Sequence, residues 1–316
     1  MFKMKSMKKS YILLLSLLLV LFIAGCDNAG RASGRFIGGD KGLEITFIEQ
    51  EPPNEILDNG EDEFDITLRL RNVGESNIQA GKTIATLKGI GKDDFSLNSL
   101  TSNSEDDLER LQRISDRITE PDETEIRFEN AKYKFDLDAA FDVDLRADVC
   151  YEYSTTAVTD LCLKKEATQR RTGDQCQINN NEAIVDNSGA PVKVTSMTQR
   201  SSGSDKISFT FDIETVGIGE VYEPGTFNDE CGVNNDKKDR LRIRVISRGN
   251  IPIECSKLNG DEGVVELFSG RRSIRCEVDT SNLQDIAFLS RVNIVLEYFF
   301  KESATEPIRV VDSANL

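Results

Sequence analysis

The sequence of 316 residues contains no histidine and no tryptophan. Without histidine, the chain cannot form a Ser-His-Asp or Cys-His catalytic group or a histidine-based metal site. It also has no Gly-x-Ser-x-Gly motif and no Cys-x-x-Cys pair, which excludes that type of hydrolase and the common zinc patterns. Carboxylate pairs are abundant among 55 acidic residues, but the absence of tryptophan disfavours a sugar-cleaving cleft. We therefore predict a protein that is not an enzyme and that carries no cofactor.

No apolar run is long enough to cross a membrane as a helix, since the longest covers residues 11–25 and about 20 residues are needed. The run follows a short segment whose only charged residues are Lys3, Lys5, Lys8 and Lys9. A basic start, a short apolar run and small residues at its end are typical of a secretory signal peptide, which we predict over residues 1–25. An ordinary signal followed by a chance cysteine and an uncleaved short anchor are the alternatives.

The apolar run ends in Ile23-Ala24-Gly25-Cys26, which resembles the lipobox of prokaryotic lipoproteins. The resemblance implies that Cys26 receives a diacylglyceryl group on its sulfur and becomes the first mature residue. Two acyl chains hold a protein stably on a bilayer, so it also implies a lipid-anchored protein on the extracytoplasmic face of the cell membrane. Residues 26–41 are rich in Gly, Ala and Ser, which predicts a flexible tether.

The charge of the chain is strongly negative. It is −16 for the full sequence, and it becomes −20 when the four lysines of the signal are removed. A polyanionic surface argues against binding to nucleic acid and against gripping anionic lipid headgroups. We therefore expect contact with the membrane only through the lipid on Cys26, and a partner that is another envelope or cell-surface protein.

Six cysteines remain beyond Cys26, and an even set in an exported chain predicts disulfides. Strand parity places Cys150 and Cys162 on the outward sides of strands that a hairpin over 151–160 would make neighbours. It places two further cysteines on the inward sides of candidate strands, and the last pair follows by exclusion. The predicted disulfides are Cys150–Cys162, Cys255–Cys276 and Cys176–Cys231.

Apolar and polar residues alternate in several short segments, most clearly over 64–71, 141–149 and 207–213. This period-2 pattern, with turn residues between segments and no strand–helix–strand rhythm, predicts a mainly all-β fold built from antiparallel sheets. Residues 42–165 and 190–312 are predicted to form two domains. A polar stretch over 166–189 would connect them.

One segment departs from the strand pattern. Ser104 begins a capping box, and apolar residues then recur near helical spacing, at Leu108, Leu111, Ile114 and Ile118. We expect a short helix near 105–118, inserted between strands of the first domain. Its simplest role is to cover a sheet edge, and partner binding is the alternative.

The two predicted domains open in a similar way. The strand over 64–71 leads to Val73-Gly74, and the strand over 207–213 leads to Val216-Gly217. This layout resembles immunoglobulin-like modules, including the CARDB-type adhesion modules of archaeal and bacterial surface proteins. The resemblance implies two tandem antiparallel β-sandwich domains, and it implies no shared active site.

Three functions are consistent with these patterns. The favoured one is a membrane-anchored, non-enzymatic lipoprotein that serves adhesion or envelope assembly. The first alternative is a lipid-anchored ligand-binding component associated with a transporter, which would need a deep cleft between the domains. The second is an enzyme of unfamiliar type, with a strongly shifted pKa in a pocket. Acidic loops at 58–63 and 259–262 offer oxygen ligands for calcium, although neither has EF-hand spacing and such loops are usually only solvated.

Overall fold

The computed structural model describes residues 35–169, 172–178, 182–225, 235–249, 251–283 and 286–315. Over these residues the chain forms strands and two short 3-10 turns, Asn235–Lys237 and Ser313–Asn315, and no α-helix. No helix there is thus long and apolar enough to span a membrane. The strands are β1 (Leu43–Phe47), β2 (Glu55–Leu57), β3 (Phe64–Asn72), β4 (Thr83–Lys88), β5 (Thr101–Asn103), β6 (Arg113–Ile114), β7 (Arg117–Ile118), β8 (Asp122–Ala131), β9 (Phe141–Leu163), β10 (Asp186–Asn187), β11 (Val192–Ser201), β12 (Lys206–Thr215), β13 (Glu220–Tyr222), β14 (Arg240–Ser247), β15 (Glu254–Cys255), β16 (Glu262–Glu266), β17 (Arg271–Asp279) and β18 (Phe288–Val311).

Two long strands form the frame of the fold. β9 and β18 pair antiparallel over their whole length, from Phe141 opposite Val310 to Leu163 opposite Phe288. We call this pair the ribbon. Shorter strands extend it into a nine-stranded sheet with the order β16-β14-β18-β9-β4-β5, while β10 pairs with β9, and β13 and β2 pair with β18. The described strand pairs are antiparallel except for β2 with β18, so the predicted all-β class with antiparallel sheets is confirmed.

One face of the ribbon carries the core. Alternate residues of a strand face one side, and every odd-numbered residue of β9 from Leu145 to Leu163 is buried. A three-stranded sheet (β1-β3-β8) and a four-stranded sheet (β11-β12-β17-β15) supply the opposing apolar residues. Leu68 in β3 and Phe211 in β12 are both fully buried in the same hydrophobic cluster. Each smaller sheet therefore packs its buried residues against the face of the ribbon that carries the odd-numbered residues of β9.

The predicted helix at 105–118 is wrong. Leu108 pairs as an isolated bridge with Ile78, and its amide donates to the Ile78 carbonyl at 2.8 Å. Ile114 and Ile118, which would have lined the buried side of the helix, lie in the β6–β7 hairpin with 63% and 52% of their surface exposed. Ser104 makes a local turn, since its hydroxyl donates to the carbonyl of Asp106 at 3.0 Å. The apolar residues of this segment recur at helical spacing, but they do not form one buried face, so the spacing does not indicate a helix here.

The two predicted domains share one sheet. β9 comes from residues 42–165 and β18 from residues 190–312, and residues 36–316 group as one compact unit. The predicted connector is also attached to both sides: β10 within it pairs with β9, and the side-chain amide of Asn187 exchanges two hydrogen bonds of 2.9 Å with the backbone of Val194. This connector therefore joins the ribbon to the four-stranded sheet instead of acting as a spacer.

Candidate functional site

The predicted signal at 1–25 and the lipid-bearing Cys26 lie outside the described residues. The predicted tether at 26–41 is described from residue 35 onward, and its last part is held by the body. The amides of Ile37 and Gly38 donate to the two carboxylate oxygens of Glu75, at 3.0 and 2.9 Å. The prediction of a free tether is therefore wrong for these residues.

Glu75 joins three segments of the chain at this point. Besides the amides of Ile37 and Gly38, its carboxylate accepts the amide of Gly189 at 2.7 Å. Its own amide donates to the carbonyl of Gly189 at 2.9 Å. Hydrogen bonds to an ionised carboxylate are about twice as strong as neutral ones. We call the place where residues 36–42, 73–75, 188–191 and 216–217 meet the seam.

Glycine is required where the backbones of the seam approach each other. A Cβ atom on Gly74 would lie 2.0 Å from the hydroxyl of Tyr153 and 2.7 Å from the carbonyl of Lys41. On Gly217 it would lie 2.6 Å from Pro191 and 3.0 Å from the carbonyl of Asp40. Such distances leave no room for any side chain. The glycines of both Val-Gly repeats therefore lie in close contact with the backbone of residues 40 and 41.

Buried tyrosines line the ribbon beside the seam. The hydroxyl of Tyr151 accepts the amide of Leu43 at 3.3 Å and donates to the carboxylate of Glu302 at 2.5 Å. Burial, together with the charge of Glu302, raises the pKa of Tyr151 well above its usual value. Burial also raises the pKa of Glu302, against the opposing effect of the Tyr151 hydrogen bond. The Tyr151 hydroxyl therefore stays protonated at neutral pH and links Leu43 of the seam to Glu302 of the ribbon through these two hydrogen bonds.

The opposite face of the ribbon carries a network of charges. The buried carboxylate of Asp148 accepts from the hydroxyl of Ser303 at 2.8 Å, and it pairs with Arg146 at 2.9 Å and Lys301 at 3.3 Å. Burial raises the pKa of Asp148, but the Ser303 hydrogen bond and the two cations outweigh it, so the pKa lies below its usual value. The carboxylate is thus held in its charged form at neutral pH.

One of the three predicted disulfides is present in the structure, and the other two are not. The described cysteines form the pairs Cys162–Cys176 and Cys255–Cys276, and the second of these is the predicted one. The pairings Cys150–Cys162 and Cys176–Cys231 are wrong. Cys150 and Cys162 lie on the same continuous strand β9, about 40 Å apart at the rise of a strand, so no bond can join them. Cys150 is also disulfide-bonded.

The acidic loop at 58–63 uses its carboxylates on the backbone. Asp58 is fully buried and accepts the amides of Ser313 at 2.9 Å and Leu137 at 2.7 Å, which lowers its pKa. Asp62 accepts the amide of Leu57 at 2.7 Å. Over the described ranges, no group of three or more histidine, cysteine or acidic side chains is arranged to hold a metal ion. The carboxylates of Asp58 and Asp62 therefore serve as hydrogen-bond acceptors for backbone amides.

Comparisons with known proteins give no assignment. No family model matches the sequence, and no curated protein matches it. The secreted serine protease VesC from Vibrio cholerae aligns with 11% identity and a TM-score of 0.21, over 82% of this chain and 51% of the protease, so the chain spans about half of that protein's length. A solved structure described as "Chaperone-tip adhesin complex is vital for synergistic activation of CFA/I fimbriae biogenesis" aligns with 9% identity and a TM-score of 0.11, over 89% of this chain and 87% of its own. Both scores are too low to support an argument about fold or function.

Proposed function

We propose that this protein is a lipoprotein of the extracytoplasmic membrane face that acts as a non-enzymatic structural or interaction module. The observation that carries the proposal is the sequence Ile23-Ala24-Gly25-Cys26 at the end of a short apolar run behind four lysines. The disulfides Cys162–Cys176 and Cys255–Cys276 support it, because such bonds persist in oxidising compartments outside the cytoplasm.

The proposed architecture is a pair of immunoglobulin-like β-sandwich lobes that share the ribbon. The three-stranded sheet would form one lobe against the half of the ribbon near Leu145. The four-stranded sheet would form the other against the half near Leu163. Because β9 and β18 continue through both lobes, bending the body between them would break paired strands, so the lobes would keep a fixed relation to each other.

The seam gives the anchor a firm attachment in this proposal. Only residues 27–35 remain between the lipid-bearing Cys26 and the segment held by Glu75, and nine residues span at most about 30 Å. Tyr151 and Tyr153, which line the seam, lie near the middle of β9. The anchor would therefore hold the body by the middle of its ribbon, close to the membrane, and leave the outer surfaces of both lobes free to meet a partner.

The Cys26→Ser variant tests the anchor. We expect it to move from the membrane fraction of its native cells to the soluble fraction, because a serine hydroxyl does not receive the thioether-linked lipid. Ala29→Ser is the matched control, a serine three residues further on, and it should stay with the membranes. Mass spectrometry of the mature N-terminus should show a lipid-modified Cys26. A Cys26→Ser protein that remains wholly in the membrane fraction would show that the lipid assignment is wrong.

A further inference from the structure

A cavity at one end of the four-stranded sheet has the features of a ligand site. It measures about 410 Å³ and lies on β11, β12 and β17 and on the turns that carry Lys257 and Phe268. Its wall contains an aromatic ring, hydroxyl groups, carboxylates and cations. These groups belong to Thr195, Asp212, Glu214, Lys257, Phe268 and Arg272.

Phe268 presents a large apolar surface to solvent at one end of a tight turn. It is 61% exposed, and it brackets a two-residue turn with Arg271, closed by two backbone hydrogen bonds of 2.8 and 3.1 Å. The turn residues Ser269 and Gly270 both have positive φ, 52° and 75°, as tight hairpins require. The guanidinium of Arg272 lies 4.8 Å from the centre of the Phe268 ring. The ring is therefore an exposed platform with a cation beside it.

The cations of this cavity are only partly neutralised. Arg271 pairs with Glu214 at 2.5 Å, and Asp212 accepts the hydroxyl of Ser196 at 2.7 Å. Among the residues that the structure describes, neither Lys257 nor Arg272 makes an ion pair with a carboxylate, and the buried Nε of Arg272 has no hydrogen-bond partner. On a chain with a net charge of −16, two cations that pair with no carboxylate of the described residues, beside an exposed ring, mark a place suited to an anionic ligand.

We propose that this cavity binds a carboxylate-bearing saccharide, such as a segment of a uronic-acid polymer. The apolar face of a sugar ring would cover Phe268, and its carboxylate would pair with Arg272 and Lys257. The carboxylates of Asp212 and Glu214 would accept hydrogen bonds from sugar hydroxyls, which a peptide of glutamates lacks. A neutral sugar would leave the cations unpaired, and a bare anion would leave the ring uncovered. The inference deepens the proposed function by naming what the exposed body binds.

Calorimetry with tri-galacturonate, on the mature protein in detergent micelles, tests the proposal. We expect saturable binding that weakens as salt is raised, because the ligand is held partly by charge. Phe268→Ala and Arg272→Gln should each weaken binding by about tenfold or more. Phe135→Ala is the matched control, since Phe135 is 47% exposed and lies 5.1 Å from the ammonium of Lys134 on another part of the surface. This control should bind like the wild type.

Three further probes decide the chemistry of the ligand. Maltotriose, inorganic phosphate and tetraglutamate should each bind at least about tenfold more weakly than tri-galacturonate. Equal binding of tetraglutamate would indicate a site for an acidic protein segment, and equal binding of phosphate would indicate a simple anion site; either result overturns the proposal. Absence of tri-galacturonate binding up to about 10 mM overturns it as well. None of these results changes the membrane fractionation of the Cys26→Ser variant, so the two proposals fail separately.

Discussion

Replacing Glu75 with glutamine tests whether the seam holds residues 36–42 to the body. A glutamine has one acceptor oxygen, which can keep the bonds from Gly38 and Gly189, but its amide nitrogen then faces the amide of Ile37. One charge-assisted bond is lost, and the other two become neutral. Bonds to a charged group contribute about 1.5–3 kcal/mol and neutral ones about 1 kcal/mol. Because Glu75 is half-buried, we expect the free energy of unfolding to fall by about 2 kcal/mol.

The measurement is urea unfolding followed by circular dichroism, with hydrogen exchange at the amides of residues 37, 38 and 189. Glu44→Gln is the matched control, because Glu44 makes only a surface ion pair with Arg71, with both side chains about 40% exposed. Removing such a pair costs less than about 1 kcal/mol. If Glu75→Gln unfolds like Glu44→Gln and the three amides keep their protection, the seam does not depend on this carboxylate.

Two further predictions concern the covalent and electrostatic stability of the body. Replacing Cys162 and Cys176 together by alanine opens a loop with a sequence separation of 14 and should lower the free energy of unfolding by about 3 kcal/mol. Non-reducing peptide mapping should recover the 162–176 link, and a link between Cys150 and Cys162 would contradict the structure. Asp148 has a depressed pKa, so its contribution to stability is present above the unfolded value of 3.8 and is lost as pH falls through the folded value. Asp148→Asn should therefore be less stable than the wild type at pH 7 and should lose less stability on acidification to about pH 3 in urea titrations; an unchanged pH dependence would contradict this assignment.

The individual strands could be predicted from the sequence because alternation is a local signal. The segments 64–71 and 207–213 fall within β3 and β12, whose inward residues are buried as their pattern requires. The length of β9 could not be predicted in this way. Ser154-Thr155-Thr156 looks like the polar turn of a hairpin, yet Thr155 is fully buried and its hydroxyl donates to the carbonyl of Val192 at 2.6 Å. The two groups that bond this hydroxyl, on Val192 and Tyr298, lie 37 and 143 positions away, so no local pattern reveals them.

The error in the hairpin led directly to the error in the disulfides. Treating 151–160 as a turn placed Cys150 and Cys162 on neighbouring strands, whereas one straight strand separates them by twelve residues. The pair Cys255–Cys276 was predictable because both cysteines have inward parity on strands that do pair, with Cys255 directly opposite Cys276. Parity therefore identified a bond correctly where the two strands do pair with each other.

The seam could be anticipated only in part. The repeated Val-Gly ends of two strands were visible, and the structure explains their glycines by the close approach of residues 40 and 41. Glu75 directly follows the first repeat, but it is one of 55 acidic residues and has no distinguishing neighbour in the sequence. Its importance comes from amides at positions 37, 38 and 189, which only the folded chain brings together.

The internal similarity of the sequence therefore has a physical meaning that differs from tandem repetition of independent domains. Each Val-Gly turn follows a strand of its own sheet, β3 or β12, and both turns contact the same short segment, which meets the ribbon near Tyr151. A side chain added at Gly74 would collide with Lys41 and Tyr153, and one added at Gly217 would collide with Pro191, so neither sheet can shift without disturbing that segment. The three parts are coupled by contact, and the segment from residue 36 onward is a structural member of both halves of the fold.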